Sequence, residues 1–141
     1  MSERNFSEVE SALKTRASEH PSRHAVLTEI LGAIGQNDFA AVAKHLTEHA
    51  ELHISGTHFM DGSWRGRDKV LGAIAANFDR ITEQKSEVEA MIQQGDAIAL
   101  LIREHGRLKP DGKPYGVRGV IWWTFEGDRL ARVEEFLHPA D

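Results

Sequence analysis

Beyond about residue 82 the chain gives up helical spacing and alternates with period 2, in four runs near 83–93, 97–109, 114–126 and 129–138. The segments QGD, PDGK and EGD separate them, and Gly beside Asp is a strong hairpin-turn signal. Four long runs joined by short turns make a meander of antiparallel strands. A sheet of that size must bury at least one face, and only the residues ahead of it can supply the cover.

Those residues read as helices. Residues 1–20 are polar, with Phe6, Val9 and Leu13 at roughly helical spacing, and predict a lead-in helix with a thin apolar stripe. Pro21-Ser22 breaks and caps. From about Arg23 to Ile34, Leu27, Ile30, Leu31 and Ile34 form one face of a second helix. Gly35 ends it, and Asp38 caps a short helix that turns Phe39, Val42 and Leu46 inward. AELHIS, residues 50–55, alternates as a strand, and a Gly-rich loop follows. Gly66 and Asp68 then open a helix with Val70, Leu71, Ile74 and Phe78 on one face. Helices first and a meander afterwards imply an α+β fold with the helices on one sheet face.

The totals narrow the classes. At 141 residues one domain is expected, large enough to bury a core without staples. No cysteine is present, so disulfides and thiol chemistry are excluded. The net charge of −5 argues against a dedicated nucleic-acid binder. No stretch approaches the ~20 apolar residues that span a bilayer, and residues 1–20 lack the apolar run of a signal peptide. The expectation is a cytoplasmic protein with no membrane or nucleic-acid partner.

One stretch asks for closer reading. In GSWRGRDKV, residues 62–70, a tryptophan and two arginines surround a glycine just where a helical pattern begins. The glycine spacing fits neither a phosphate loop nor a dinucleotide fingerprint, and no strand is expected to run directly into it. Gly66 and Asp68 suit a helix start, with Asp68 at the positive end of the helix dipole and Trp64 packed beside it.

The order of two helices, AELHIS, WRGRDKV, a helix, GDAIALLIREHGRL, VRGVIWWTFEGDRL and RVEEFLHP resembles the SnoaL-like branch of the nuclear transport factor 2-like superfamily. That superfamily includes ketosteroid isomerase, polyketide cyclases and limonene epoxide hydrolase. The resemblance covers about residues 22–138. It implies a cone-shaped half-barrel, a curved mixed sheet with three helices on its concave face, here carrying residues 1–21 as an N-terminal helical extension to a domain of residues 22–141. Fold likeness leaves the chemistry open, because this scaffold hosts many functions.

Turn arithmetic assigns side chains to faces. If Asp111-Gly112 is a two-residue turn, His105 faces Arg118, Arg103 faces Val120 and Leu101 faces Trp122. If Gly127-Asp128 is the next turn, Val120 faces Glu135 and Trp122 faces Val133. If Gly95-Asp96 closes the first hairpin, Val88 faces Arg103 and Ala90 faces Leu101. One face then gathers Val88, Ala90, Leu101, Arg103, His105, Arg118, Val120, Trp122, Val133, Glu135 and Leu137. A slip of one residue would move a strand's set to the other side. The opposite face holds Leu100, Ile102, Ile121, Trp123 and Phe136, and is apolar too. Adjacent tryptophans must point to opposite faces. Helices cover one face only, so a homodimer through the outer sheet face is expected to cover the other.

On the face assigned to the interior, Arg103 and Glu135 flank Val120 about 10 Å apart, within reach of two long side chains. With His105 they read either as an acid/base group with its charge partner or as a structural ion pair beside a satisfied histidine. Trp122 reads as the wall for a flat apolar ligand or as plain core, with Leu101, Arg118 and Val120 around it.

The resemblance adds further expectations. It turns alternate residues of AELHIS into the barrel, so His53 becomes a pocket hydrogen-bonder. His53, His105 and Glu135 also have the composition of a two-histidine, one-carboxylate metal site, but no ligand spacing shows along the chain, and neither metal nor cofactor is expected. The tyrosine and aspartate of ketosteroid isomerase fall on Ile30 and Ile54, which argues against that activity. Arg103 matches the arginine of limonene epoxide hydrolase. His105 and Glu135 fall where its aspartates stand, and His53 and Ser55 where its water-positioning tyrosine and asparagine stand. Glu135 is the nearest counterpart to the aspartate acid/base of the cyclases. The expected ligand is a small apolar or polycyclic molecule. The chain is then either an isomerase-, cyclase- or epoxide-hydrolase-like enzyme, with Arg103, His105, Glu135 and His53 as its catalytic group, or a non-catalytic binding or association module.

Overall fold

The computed structural model describes residues 4–15, 21–57 and 59–140. A short strand β1 (Arg4–Asn5) precedes the helices α1 (Ser7–Thr15), α2 (Pro21–Gly35) and α3 (Phe39–Ala43). Then come β2 (Leu46–Ser55), β3 (Gly62–Arg65), α4 (Arg67–Asp79) and the long strands β4 (Ile81–Gln94), β5 (Ala97–Leu108), β6 (Lys113–Glu126) and β7 (Arg129–Pro139). The seven strands form one mixed sheet in the order β1-β4-β5-β6-β7-β2-β3. β1 lies parallel to β4 and β2 parallel to β7, and the other pairs are antiparallel. Helices pack on the concave side, giving the α+β half-barrel expected from the sequence. Among the described residues no helix is long and apolar enough to cross a membrane.

The helical stripes pack as their spacing dictates. Leu27, Ile30, Leu31 and Ile34 of α2 are buried, as are Val42 of α3 and Val70 of α4. Asp38 caps α3 by accepting the Ala41 N–H at 3.1 Å. Phe6 and Val9 of α1 are buried, while the side chain of Leu13 lies outside the described residues.

The stretch at 62–70 differs from expectation in one respect. Residues 62–65 form strand β3, paired with β2 from Ile54↔Gly62 to Glu51↔Arg65, so a strand does run into the helix start. Gly66 makes the corner at φ 95°, a left-handed conformation that glycine adopts without strain. Its N–H donates to Ala50 O at 2.8 Å and its carbonyl accepts from Val70. Trp64 is half-buried against the core. The motif is a helix entrance.

Strand boundaries agree closely with the period-2 runs, but three register details redistribute the side chains. The β5–β6 connection is four residues long, closing at Leu108↔Lys113. Arg103 therefore faces Arg118, His105 faces Gly116 and Leu101 faces Val120. That slip is two residues, so no side chain changes face. Two bulges each slip the register by one. In β6–β7, Glu126↔Arg129 pairs as expected, but a bulge next to Phe125↔Leu130 sets Ile121 opposite Glu135 and Val120 opposite Phe136. In β4–β5, Ala90↔Leu101 holds, and a bulge beyond it moves Arg103 from Val88 to Glu87. A bulge puts two residues opposite one and reverses which side chains share a face.

The face assignment for β5 and β6 is consequently inverted. The concave face carries Leu100, Ile102 and Glu104 of β5, Ile121 and Trp123 of β6, and Val133, Glu135 and Leu137 of β7. Leu101, Arg103, His105, Arg118, Val120 and Trp122 stand on the convex face. Of the apolar residues assigned to the outside, only Phe136 is there, 53 % exposed. The energetics favour this arrangement, because three cationic or titratable groups turned inward would have needed buried partners.

Candidate functional site

Helices and sheet enclose a cavity of about 110 Å³. Its walls are apolar almost throughout: Leu27 and Ile34 of α2, Ile74 and Phe78 of α4, Ile102 and Trp123 of the sheet. Ser86 and the ion pair of Glu51 with Arg132, 3.8 Å apart, interrupt them, as do two further carboxyl groups, Glu104 and Glu135. A smaller recess of about 50 Å³, bounded by Ile54, Ile81 and Asn77, shares both carboxyls.

Glu135 reaches the cavity because the β6–β7 bulge pairs it with Ile121 on one side while the parallel β2 register pairs it with Ile54 on the other. Among the described residues no cation or hydrogen-bond donor meets its carboxyl. Burial pushes its pKa from 4.5 up to about 8, and the charge of Glu104 adds to the rise. Glu135 is only half-buried by exposed area, yet it lines both cavities, so that area includes cavity wall.

Glu104 sits in the same enclosure with a different environment. Ser86, opposite it on β4, donates from Oγ to Oε1 at 3.2 Å, and Tyr115 donates to Oε2 at 2.9 Å. Gln84 supports Ser86 by donating from Nε2 to its Oγ at 3.1 Å, and Gln84 Oε1 is buried without a partner. Burial raises the Glu104 pKa, against the hydrogen bonds from Tyr115, Gln84 and Ser86 that lower it. Tyr115 is held protonated, its pKa raised by burial and then by Glu104.

Tyr115 owes its position to a glycine. It stands opposite Gly106 on β5, and a Cβ there would lie 2.9 Å from the Tyr115 ring and 2.9 Å from Thr82 O. The absent side chain lets the phenol lie flat over β5 toward Glu104. Phe59 packs edge-on against the other side of the ring, centroids 5.6 Å apart.

Of the residues singled out from the sequence, Glu135 alone combines a wall position with a perturbed carboxyl. Arg103 and Arg118 converge on Glu89 on the convex face, where Arg118 Nε lies 3.0 Å and Arg103 Nε 3.5 Å from its carboxyl. Arg118 holds the Glu89 pKa below its ordinary value. The expected Arg103–Glu135 pair is not formed. His105 is exposed, 3.9 Å from Glu87. His53 points away from the cavity, its Nδ1 2.8 Å from Ser63 Oγ and its Nε2 2.8 Å from Glu51 Oε1. Ser55 is exposed and donates to the Glu135 carbonyl at 3.4 Å. Leu101, Val120 and Trp122 lie on the outer surface. His53, His105 and Glu135 are not brought together, and among the described residues no three His, Cys, Asp or Glu side chains group as metal ligands would.

Glu104 and Tyr115 were missed. A signal existed: Leu100, Ile102 and Glu104 form one alternating stripe that ends in a carboxylate, and Tyr115 is the only tyrosine of the chain.

The fold and the cavity define an NTF2-like α+β cone. The chain belongs to the SnoaL-like domain family, whose model matches residues 27–133. Solved structures agree at the level of fold. An NTF2-like protein from Burkholderia xenovorans LB400 is 15 % identical with a TM-score of 0.70, covering 83 % of this chain and 89 % of its own. A putative SnoaL-like polyketide cyclase from Jannaschia sp. CCS1 is 12 % identical with a TM-score of 0.70, covering 83 % and 85 %. A putative isomerase from Rhodopseudomonas palustris is 17 % identical with a TM-score of 0.69, covering 89 % and 88 %. Among curated proteins none matches the chain.

Proposed function

We propose that the protein is an acid/base enzyme that moves a proton on a small apolar molecule held in the cone, with Glu135 as the proton donor and Glu104 as the complementary carboxylate. The observation that carries this reading is the carboxyl of Glu135, pushed up to about 8 in an apolar cavity. Such a group is neutral at pH 7 and is able to give a proton to a developing oxyanion. Among the described residues Glu104 accepts hydrogen bonds where Glu135 has no donor, so the first negative charge of the pair resides on Glu104. Two carboxyls pushed apart in proton affinity are the usual arrangement of an acid and its base. The neighbours named as a polyketide cyclase and an isomerase are compatible with that chemistry.

The cavity limits the ligand. An engineered apolar cavity of about 150 Å³ holds benzene, so about 110 Å³ suits a compact molecule of one small ring. A polycyclic ligand requires the walls to open.

The same proposal includes a homodimer through the convex face. Leu101, Val120 and Phe136 lie side by side across β5, β6 and β7, with Trp122 one step along, 36 % exposed. Such an apolar row on a curved sheet supports a second copy as its cover.

Deuterium exchange into small cyclic enones, followed by NMR in D₂O, tests the function. Wild type should accelerate exchange next to the carbonyl, and Glu135→Gln should lose about 10²–10⁴-fold of that acceleration. Compounds that enter the cavity yet exchange equally with both proteins would make the chain a binding module.

A further inference from the structure

Two residues of the cavity wall lie ahead of the matched domain, which spans residues 27–133. Phe6 and Val9 are 9 % and 4 % exposed, and both line the cavity. The Phe6 ring meets Phe78 of α4 edge-on, centroids 5.9 Å apart, and both residues line the cavity.

The segment is anchored at several described points. β1 pairs with β4 only at Arg4↔Gln84 and Asn5↔Lys85. Asn5 Oδ1 accepts from Ser7 N at 3.0 Å and starts α1. Glu8 Oε1 then accepts the Val88 N–H at 2.8 Å, on the edge of β4 that β1 leaves uncovered and beside the β4–β5 bulge. That bond is solvent-exposed, and Glu8 itself is no part of the cavity wall. Packing of α1 on α2 and β4 completes the attachment.

We infer that residues 4–15 are the size-selecting wall of the pocket: Phe6 sets the largest ligand that fits, and the Glu8–Val88 bond sets how readily the wall moves aside. This rests on the proposed reading that the cavity takes an apolar small molecule. Apart from Glu135 on β7, every other wall residue comes from the helices and sheet of the matched domain, where a shift would break many strand or helix hydrogen bonds. Among the described residues the N-terminal wall is tied to the sheet by a two-residue strand pairing and the exposed Glu8–Val88 bond, and otherwise by the packing of α1 on α2 and β4.

Fluorine NMR of the full-length chain with fluorobenzene and fluoronaphthalene tests this. Wild type should bind fluorobenzene and discriminate against fluoronaphthalene. Phe6→Ala should raise fluoronaphthalene affinity about tenfold, because the vacated ring volume buries the second ring. Phe6→Leu, a milder change that preserves folding, should move the preference the same way by less. Glu8→Ala alters no wall atom, so it should speed probe exchange and leave the size preference at the wild-type value. The inference fails if both Phe6 variants keep the wild-type preference, or if Glu8→Ala changes preference without changing exchange. Binding of neither probe by any variant would instead overturn the ligand-pocket reading beneath it.

Discussion

Tyr115 and Glu104 come from neighbouring antiparallel strands, and the phenol donates to Glu104 Oε2 at 2.9 Å inside the cone. The bond is possible only because Gly106, opposite Tyr115, has no side chain to lift the ring. Removing the hydroxyl in Tyr115→Phe leaves the buried carboxyl with Ser86 and Gln84 on the β4 side alone. A hydrogen bond to a charged group is worth about 1.5–3 kcal/mol. The variant should lose more at pH 9 than at pH 4, because the bond strengthens when the carboxyl is charged. Urea unfolding at the two pH values measures the difference, and equal losses would contradict the assignment.

Gly106→Ala should act on the same bond from the other side. Its new methyl must displace the Tyr115 ring or the Thr82 carbonyl, and a backbone carbonyl cannot yield cheaply. Overpacking of this kind costs about 1–3 kcal/mol. If Tyr115 is what moves, Gly106→Ala and Tyr115→Phe will be non-additive in a double-mutant cycle. Additive costs would show that the glycine serves packing alone.

The raised pKa of Glu135 fixes how stability varies with pH. The folded value is about 8 and the ordinary value 4.5, so the folded state binds the proton more tightly than the unfolded chain. Stability is therefore greatest below 4.5 from this group, falls as pH rises, and levels above about 8. The full loss is on the order of 5 kcal/mol. Glu135→Gln cannot ionise, so the contribution of this residue to the slope vanishes. No cation loses a partner, because Arg103 is held by Glu89 instead. At pH 9 the variant should be more stable than wild type. A variant less stable at that pH would indicate a carboxylate that is compensated after all.

The two adjacent tryptophans should separate assembly from packing. Trp123 is 7 % exposed in the concave core, and Trp123→Ala should cost about 3–5 kcal/mol. Trp122→Glu, on the convex face, should leave the monomer folded and raise the dimer dissociation constant at least tenfold. Sedimentation of both variants decides it, and a dimer that survives Trp122→Glu together with Phe136→Glu would remove the convex face as the interface.

Much of the fold was legible because periodicity reports it directly. The four long strands were located within about two residues, since alternation and Gly-Asp or Asp-Gly turns are local signals. Which face lay inside was not local. The turn at 127–128 was read correctly, yet one extra residue near Ala131 moved Glu135 from the side of Val120 to that of Ile121. Both sides of VIWW are apolar, so hydrophobicity did not correct the slip. Arg103, His105 and Arg118 drew attention because charges converge on one stripe, but that stripe is a solvated convex surface. Strand β3 escaped notice because GSWR is short and opens on glycine. Glu135 is legible through its place in the family pattern, although the turn arithmetic sets it beside the wrong neighbour, whereas its partner Glu104 required knowing that Ser86 and Tyr115 flank it across two strands.

The central claim is that Glu135 keeps its proton at neutral pH inside the cone. Isotope-edited infrared or carbon NMR of the glutamate side chains, titrated from pH 4 to pH 10, measures it directly. The account predicts one carboxyl that ionises near pH 8, absent from the Glu135→Gln spectrum and displaced downward when Glu104→Gln removes the neighbouring charge. A Glu135 carboxyl that ionises in the ordinary range near 4.5 would contradict it.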